Sequence, residues 1–364
     1  MAIGSKENPA PRVSIIIVNF NGGPLLLQAV TAALDSTVST ELFISDNGST
    51  DGSLNAVYQA FGRLPQLHII SNGSNLGFSR ANNIALKQAS GRYVLLLNPD
   101  CIIAPDTLSK MLAIMDAHPS VGMAGCLIRN PDGSEQPGCR RAVPTPWRAF
   151  VRVFHLNKVF PDNPRFRTFL LHQDQLPAAP EEVEAISGAF MLVRREAMSQ
   201  VGPLDDMYFM HCEDIDWCMR FRQAGWKILF VPNNEVVHYK GTCSKSRPIR
   251  VLYHMHRSMI RFYRKFFRHK YPWPLLAVVI AAAATRFVAL AASELLGRLL
   301  SGDTAESSTQ PPKFRERRNP TPVVAYIGPD RRQPNRGHVL SKTLKAPETP
   351  DRNTSRSSSE SEIR

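Results

Sequence analysis

The residues best suited to chemistry lie in one stretch, Met210-His211-Cys212-Glu213-Asp214-Ile215-Asp216-Trp217-Cys218-Met219-Arg220. Three carboxylates fall within four positions, among apolar residues and just ahead of Gly225-Trp226. Taking a carboxylate out of water is costly. A metal ion, a general base or a bound cation would justify the cost. So would the first turn of a helix, where the dipole favours Glu and Asp. The stretch by itself leaves these readings open.

Other candidates stand where apolar runs end. Asp46 follows Leu42-Phe43-Ile44-Ser45 and opens a polar loop through Ser53. A carboxylate there could accept the imide N–H of a pyrimidine base, or be plain Asp-Asn-Gly turn chemistry. Asp100 follows Tyr93–Leu97 and Asn98-Pro99, with nothing beside it in sequence to neutralise it. Mg2+ or Mn2+, held by one or two carboxylates plus substrate phosphates, suits such a residue. Arg80 could pair with a phosphate, line a base pocket or lie at the surface. His238 suits metal contact and core hydrogen bonding equally. Jointly these residues suggest a nucleotide-diphosphate and metal site with a separate carboxylate base. There is no GxxxxGK[ST], which argues against a P-loop NTPase, and no GxGxxG after the first apolar run, which argues against a dinucleotide cofactor.

The elements that must position these residues follow a repeating pattern. Val13–Val18 is a β-branched run that reads as a strand buried on both faces. Asn19–Gly23 is a turn, and Pro24 opens a helical pattern. Strands at 42–45, 68–70 and 93–97 follow, each ending in a polar loop, with helices at 81–89 and 105–117. Asp51 can cap a helix after its loop. Strand, loop and helix repeated four times describe an open α/β sheet. Loops 19–23, 46–53, 75–80 and 98–100 should gather beyond the carboxyl ends of its strands, where such sheets bind ligands. Residues 130–180 change character, with frequent Pro and basic residues, and read as a partly irregular insertion over the site. Regular structure resumes at 184–193, then a turn at 202–205, a helix to about Ala224, and strands at 227–231 and 235–239.

The 364 residues carry a net charge of +13, which points to an anionic partner. From Ser244 to Trp273 there are nine Lys or Arg and no Asp or Glu. Arg257, Arg261, Arg264 and Arg268 share one helical face, and Met255, Met259, Phe262 and Phe266 another. A basic amphipathic helix reads as a membrane-surface segment; the alternative is a helix packed on the domain. Leu275–Leu300 approaches the length of a membrane span, but Arg286 interrupts it, favouring a helix or hairpin lying in the interface. The Pro-, Ser- and Arg-rich tail from 301 to 364 reads as disordered, with Tyr326–Arg332 as a candidate docking segment. The six cysteines form no CxxC pair and read as free cytosolic thiols, not a zinc site. Nucleic-acid binding is disfavoured, because the charge excess lies beside apolar sequence with no aromatic stacking platform.

Val13–Asn21, Asp46–Ser53, Asn75–Phe78, Leu97–Asp100 and Glu213–Asp216 together resemble the family 2 glycosyltransferases. Gly188–Arg195, Tyr208–Gly225 and Val237–Tyr239 resemble the bacterial rhamnosyltransferase branch. The resemblance spans roughly residues 12–270. It implies a GT-A fold, a Rossmann-like mixed α/β sheet, over 12–243. Residues 12–125 would be the nucleotide-sugar half and 126–243 the acceptor half. A leader (1–11) would precede them, with membrane-associating helices (244–300) and the tail behind.

The implied reaction is inverting transfer of a sugar, L-rhamnose from dTDP-rhamnose, to a lipid-linked or cell-surface glycan at the cytoplasmic side of the bacterial inner membrane. Asp214 would be the general base, with Glu213 and Asp216 positioning the acceptor or tuning that base. Val18, Asn19, Asn21, Asp46, Asn75, Gly77, Arg80 and Asn98 would contact the nucleotide-sugar. Asp100 and His238 would bind Mg2+ or Mn2+. Many members carry Asp-x-Asp at the metal site; Asn98 stands in the first position here, so the metal is expected to bind together with the donor. The rivals are a same-fold enzyme using another UDP- or GDP-sugar, and an inactive nucleotide-binding scaffold. The oligomeric state, including a homo-oligomer, is left open.

Overall fold

The computed structural model describes residues 11–62, 64–241 and 248–301. The expected leader, apart from Pro11, and the tail beyond 301 with its Tyr326–Arg332 segment lie outside the described residues.

The first half is built as the apolar runs demand. Strand β1 (Val13–Asn19) is buried at all seven positions, as a central parallel strand should be. Helix α1 (Gly23–Leu34) carries Pro24 in its first turn and buries Leu26, Ala29, Val30 and Ala33. The chain continues through β2 (Thr40–Asp46), α2 (Ser53–Phe61), β3 (Leu67–Ser71), α3 (Phe78–Leu86) and β4 (Tyr93–Leu97). Strand β1 pairs in parallel with β2 on one side and β4 on the other. The strand order β3-β2-β1-β4 therefore reverses at β1. The crevice beyond the carboxyl ends of β1 and β4 is the switch point where open α/β sheets take ligands. Asn19 and Asp46 are register partners at that edge.

The second half completes one nine-stranded mixed sheet, as expected of a GT-A fold. After β5 (Cys101–Ile102) and α4 (Thr107–Ala117) comes β6 (Val121–Arg129), a strand the sequence reading did not anticipate. The insertion holds β7 (Arg140–Arg141), α5 (Pro146–Val153) and α6 (Leu156–Val159), and β8 (Glu181–Glu182) follows it. Next are β9 (Ala185–Ile186), β10 (Phe190–Arg194), α7 (Arg195–Val201) and α8 (Glu213–Gln223). Strand β10 runs antiparallel between β4 and β6. Strand β11 (Lys227–His238) lies parallel to β6. It joins the two strands expected at 227–231 and 235–239 into one, with an irregular register between Val231 and Glu235.

Helix α9 (Pro248–Phe267) has its own place in the packing. Phe262, Tyr263 and Phe267 form a small core with Val143, Tyr208, Ile215 and Met219. Asp205 pairs with Arg261 and Lys265, both at 2.8 Å. Part of the basic face is thus spent on the domain itself. Helix α10 (Trp273–Ser301) lies against α9, with the Phe287 ring 6.0 Å from Tyr253 and 5.8 Å from His256. Among the described residues, its segment Ala277–Leu296 is the one stretch long and apolar enough to cross a membrane.

Candidate active site

The polar loops do meet at the edge of the parallel half. The Asn19 side chain is fully buried, and its amide donates to Asp46 Oδ1 at 2.8 Å and to the Ser49 hydroxyl at 2.9 Å. Asp46 Oδ2 accepts the backbone N–H groups of Gly48 and Ser49, each at 3.0 Å. Asn21, at φ +54°, accepts the Thr50 N–H on its side-chain oxygen. Asn19 and Asn21 thus brace the loop by their side chains. Asp46 accepts three bonds from its surroundings, and a carboxylate has roughly four acceptor sites. Val18 is a buried strand residue just beneath.

The 75–80 loop is tied to the same edge and also to the acidic stretch. The Asn75 side-chain oxygen accepts the Gly77 N–H at 3.0 Å. Gly77 has φ +85°, and a Cβ there would sit 2.4 Å from the carbonyl oxygen of Phe209. Only glycine allows that approach. Arg80 is exposed and contacts Asp206, donating to its backbone oxygen at 3.3 Å.

Asp100 and His238 stand together, both buried, with Asp100 Oδ1 3.0 Å from His238 Nε2. Neighbours fix the imidazole. The Gln136 amide nitrogen donates to Asn130 at 2.9 Å and to the His238 backbone oxygen at 3.3 Å. That leaves Gln136 Oε1, 2.7 Å from His238 Nδ1, as an acceptor. Nδ1 therefore carries a proton, and in the neutral ring Nε2 presents its lone pair toward Asp100. The Asn98 amide nitrogen lies 3.2 Å from the same Nε2. A carboxylate oxygen beside an imidazole nitrogen, with the far nitrogen held by a hydrogen-bond partner, could supply two ligands to a divalent cation. Among the described residues no group of three His, Cys, Asp or Glu surrounds a metal position. Asp100 and His238 thus fit a cation that draws its remaining ligands from elsewhere.

A short turn joins this pair to the acidic cluster. The Asn98 N–H donates to the Ala189 carbonyl at 3.0 Å. The neighbouring Gly188 N–H donates to Asp214 Oδ2 at 3.1 Å. Residues 188 and 189, the entry to β10, so span from one candidate centre to the other.

The three carboxylates of the cluster have three different environments. Asp214 accepts from the Arg141 guanidinium at 2.5 Å, from Gly188 and from the Ile215 N–H. Burial would raise its pKa, but the Arg141 charge and these hydrogen bonds outweigh burial and hold it below the usual carboxylate range. Glu213 is buried, and its Oε2 has no hydrogen-bond partner. Burial, then the charge of Asp214, raises it to about 8. Asp216 is fully buried and paired with Arg220 at 2.8 Å and Lys265 at 2.6 Å. Its contacts tie α8 to α9, apart from the Asp214–Arg141 pair. His211 and Cys212, directly before Glu213, both have φ +66°. Two consecutive non-glycine residues in the left-handed region hold strain at the helix start.

Sequence reasoning missed Arg141 and Gln136, both in the insertion. The doublet Arg140-Arg141 was visible, but nothing local to it names Asp214 as the partner.

The profile of the family described as Glycosyl transferase family 2 matches residues 14–202. The N-acetylglucosaminyl-diphospho-decaprenol L-rhamnosyltransferase of Mycobacterium tuberculosis is 33% identical over 262 residues, covering 68% of this chain and 82% of the relative. Rhamnosyltransferase WbbL of Escherichia coli is 29% identical over 179 residues, covering 46% of this chain and 62% of the relative. Among solved structures, the mannosyltransferase PcManGT from Pyrobaculum calidifontis with GDP-Man and Mn2+ aligns at TM-score 0.47 and 21% identity, over 79% of this chain and 81% of that one. With a profile match over half its length and a relative covered over four fifths, the chain belongs to the family 2 glycosyltransferases.

Proposed function

We propose that the enzyme transfers L-rhamnose from a dTDP-linked donor to a lipid-linked glycan precursor, with inversion at the anomeric carbon. For the substrates, the observation that carries this reading is the 33% identity to a mycobacterial relative named for that sugar and a diphospho-decaprenol acceptor. For the chemistry, support comes from the turn at 188–189 that touches both Asn98 and Asp214.

The donor would lie over the carboxyl ends of β1 and β4. Asp46 has one acceptor site left for a base imide N–H, and the Asn19–Ser53 network keeps it aimed. Backbone at Val18–Asn21 and the Asn75–Gly77 loop would line the nucleoside, with Arg80 at the rim. Asp100 and His238 would hold Mg2+ or Mn2+, which offsets charge on the departing nucleoside diphosphate. Asp214 takes the proton of the acceptor hydroxyl as that oxygen attacks the anomeric carbon. The new C–O bond forms on the face opposite the leaving group, and the bond to the diphosphate breaks with its electron pair. One displacement of this kind inverts the configuration. Glu213, protonated at neutral pH, can donate a hydrogen bond to the acceptor. The basic stretch of α9 and the apolar α10 suit work at the cytoplasmic face of a bacterial inner membrane, where a polyprenyl-diphosphate acceptor is embedded.

The test is transfer from a panel of radiolabelled dTDP-, UDP- and GDP-sugars to native membrane lipids, with Asp100→Ala and Asp214→Asn as controls. Label from dTDP-rhamnose alone, lost in both variants, is the expected result. Preference for another nucleotide-sugar overturns the donor, and undiminished transfer by Asp214→Asn overturns the base.

A further inference from the structure

The insertion carries an exposed surface that the transfer reaction does not use. Helix α5 and its C-terminal cap present Trp147, Phe150 and Phe154 to solvent at 45, 45 and 60% exposure, and Phe160 beyond is 47% exposed. Folded domains rarely show so many large aromatic side chains together unless the patch meets a partner. The rings are ordered against one another. Trp147 stacks on Phe150 at 5.6 Å, Phe150 meets Phe154 at 4.5 Å, and Phe160 stacks on Phe166 at 4.8 Å. The Trp147 indole N–H donates to the Arg165 carbonyl at 2.7 Å, which ties the helix to the returning chain. The ridge is thus a built feature with a fixed shape.

Its surroundings are basic. Residues 146–170 hold five Lys or Arg against one carboxylate, Asp162. Arg152, Lys158, Arg165 and Arg167 are exposed. Behind Trp147 opens a cleft of about 680 Å³, with Arg165, Arg167, Arg222 and Lys270 among its lining residues. Its one acidic lining residue, Glu184, is already paired with Arg148 at 2.7 Å. Lys270 and Phe267 also line the cleft, and α10 begins three residues after Lys270. The aromatic ridge therefore stands at the start of the apolar helix, where Trp273 is itself 79% exposed. Aromatic rings and Lys or Arg gathered at the end of an apolar helix form the composition of a membrane–water interface.

We propose that α5 and the chain to Phe166 form a second membrane contact, on which Trp147, Phe150 and Phe154 enter the headgroup region of an anionic bilayer while the basic cleft collects lipid phosphates. The occupant is the bilayer surface and not a protein groove: the rings are exposed, and the charge around them is predominantly basic. The surface would fix the orientation of the domain, which one apolar helix alone leaves free to rotate. This inference rests on the reading that the enzyme works at a membrane, and the experiment separates the two.

The full chain is mixed with phosphatidylcholine vesicles, with or without phosphatidylglycerol, bearing brominated acyl chains that quench tryptophan at the interface. Of the four tryptophans, Trp217 is fully buried and Trp226 packs beside α7 with its indole on Gln200. In Trp273→Phe protein, quenching in phosphatidylglycerol vesicles then reports Trp147. We expect strong quenching there, absent from the Trp147→Phe/Trp273→Phe double variant. Phe150→Ser/Phe154→Ser protein should partition about tenfold more weakly, and each of Arg152→Gln, Lys158→Gln and Arg165→Gln roughly fivefold more weakly into the anionic vesicles. Equal quenching of the single and double variants, with wild-type protein still bound through α10, overturns the second contact alone. No binding of the wild-type chain to either vesicle overturns this contact and the membrane reading together.

Discussion

At the scale of single residues, the acidic cluster is three groups in three electrostatic environments. Asp214 is clamped by Arg141, which holds its carboxyl below the usual range, Glu213 is pushed up to about 8 and is neutral near pH 7, and Asp216 is sealed between Arg220 and Lys265. If Asp214 is the proposed base, the clamp sets its working range. A base acts only when deprotonated, so activity falls as pH drops through its pKa, and Arg141 pushes that fall to lower pH. Arg141→Gln should therefore move the acid limb of the kcat/KM profile upward. Asp214→Asn should lose about 10²–10⁴-fold in kcat with the fold intact. An acid limb unmoved in Arg141→Gln would show that Asp214 is not the group titrating. Glu213 makes a different prediction. Its carboxyl is raised to about 8 in the folded protein from an ordinary 4.5. An acid with a raised folded pKa costs stability progressively as pH rises from the lower value to the higher. Glu213→Gln should thus gain stability over the parent between about pH 5 and pH 8, reaching on the order of 4 kcal/mol. Urea unfolding across that range measures it, and a gap that stays flat with pH would mean that Glu213 titrates normally.

At the scale of elements, α9 is docked by charge as much as by apolar burial. Lys265 reaches both Asp205 and the fully buried Asp216. Removing one partner of a buried ion pair leaves the other uncompensated. Lys265→Met should cost about 1–3 kcal/mol in urea unfolding, discounted for the exposed part of the lysine and for Arg220, which stays on Asp216. Arg264→Met, on the exposed face, should change stability by less than about 0.5 kcal/mol. An equal effect of the two would mean that the pairing does not dock the helix. The same contrast between local and distant causes explains what the sequence made legible. Strands β1 and β4 are dominated by apolar and β-branched residues, so they could be read, and with them the loops that carry Asp46 and Asp100. Strand β6 reads Val-Gly-Met-Ala-Gly-Cys-Leu-Ile-Arg, and its glycines hid it. A Cβ at Gly122 would meet Phe221 at 2.8 Å, and one at Gly125 would meet Ile186 at 2.9 Å. Packing from α8 and β9 demands the residues that weaken the strand signal. Arg141 and Gln136 escaped for another reason: they act on residues 73 and 102 positions away, from a stretch with no period to read.

At the scale of the whole molecule, the two halves of the sheet meet with Asp100 and His238 on one side and the Arg141-clamped Asp214 on the other. Asp100 and His238 supply one charge and one nitrogen, and the described residues add no third acidic, His or Cys ligand. Mg2+ and Mn2+ prefer six ligands, and sites of this kind complete the set with substrate phosphates and water. Asn98, whose amide nitrogen lies 3.2 Å from His238 Nε2, adds no negative charge beside them. The free protein should therefore hold the cation weakly, and the donor should bring most of the affinity with it. By linkage, the cation must strengthen donor binding by the same factor that the donor strengthens the cation's. Titration of Mn2+ by calorimetry or electron paramagnetic resonance, with and without dTDP, measures that factor directly. We expect tightening by about 10-fold or more with the nucleotide present, lost in Asp100→Ala and reduced in Gln136→Leu, which frees the His238 ring to turn. Equally tight Mn2+ binding by the free protein would mean that the chain completes the site itself, and the order of binding inferred from Asn98 would be wrong.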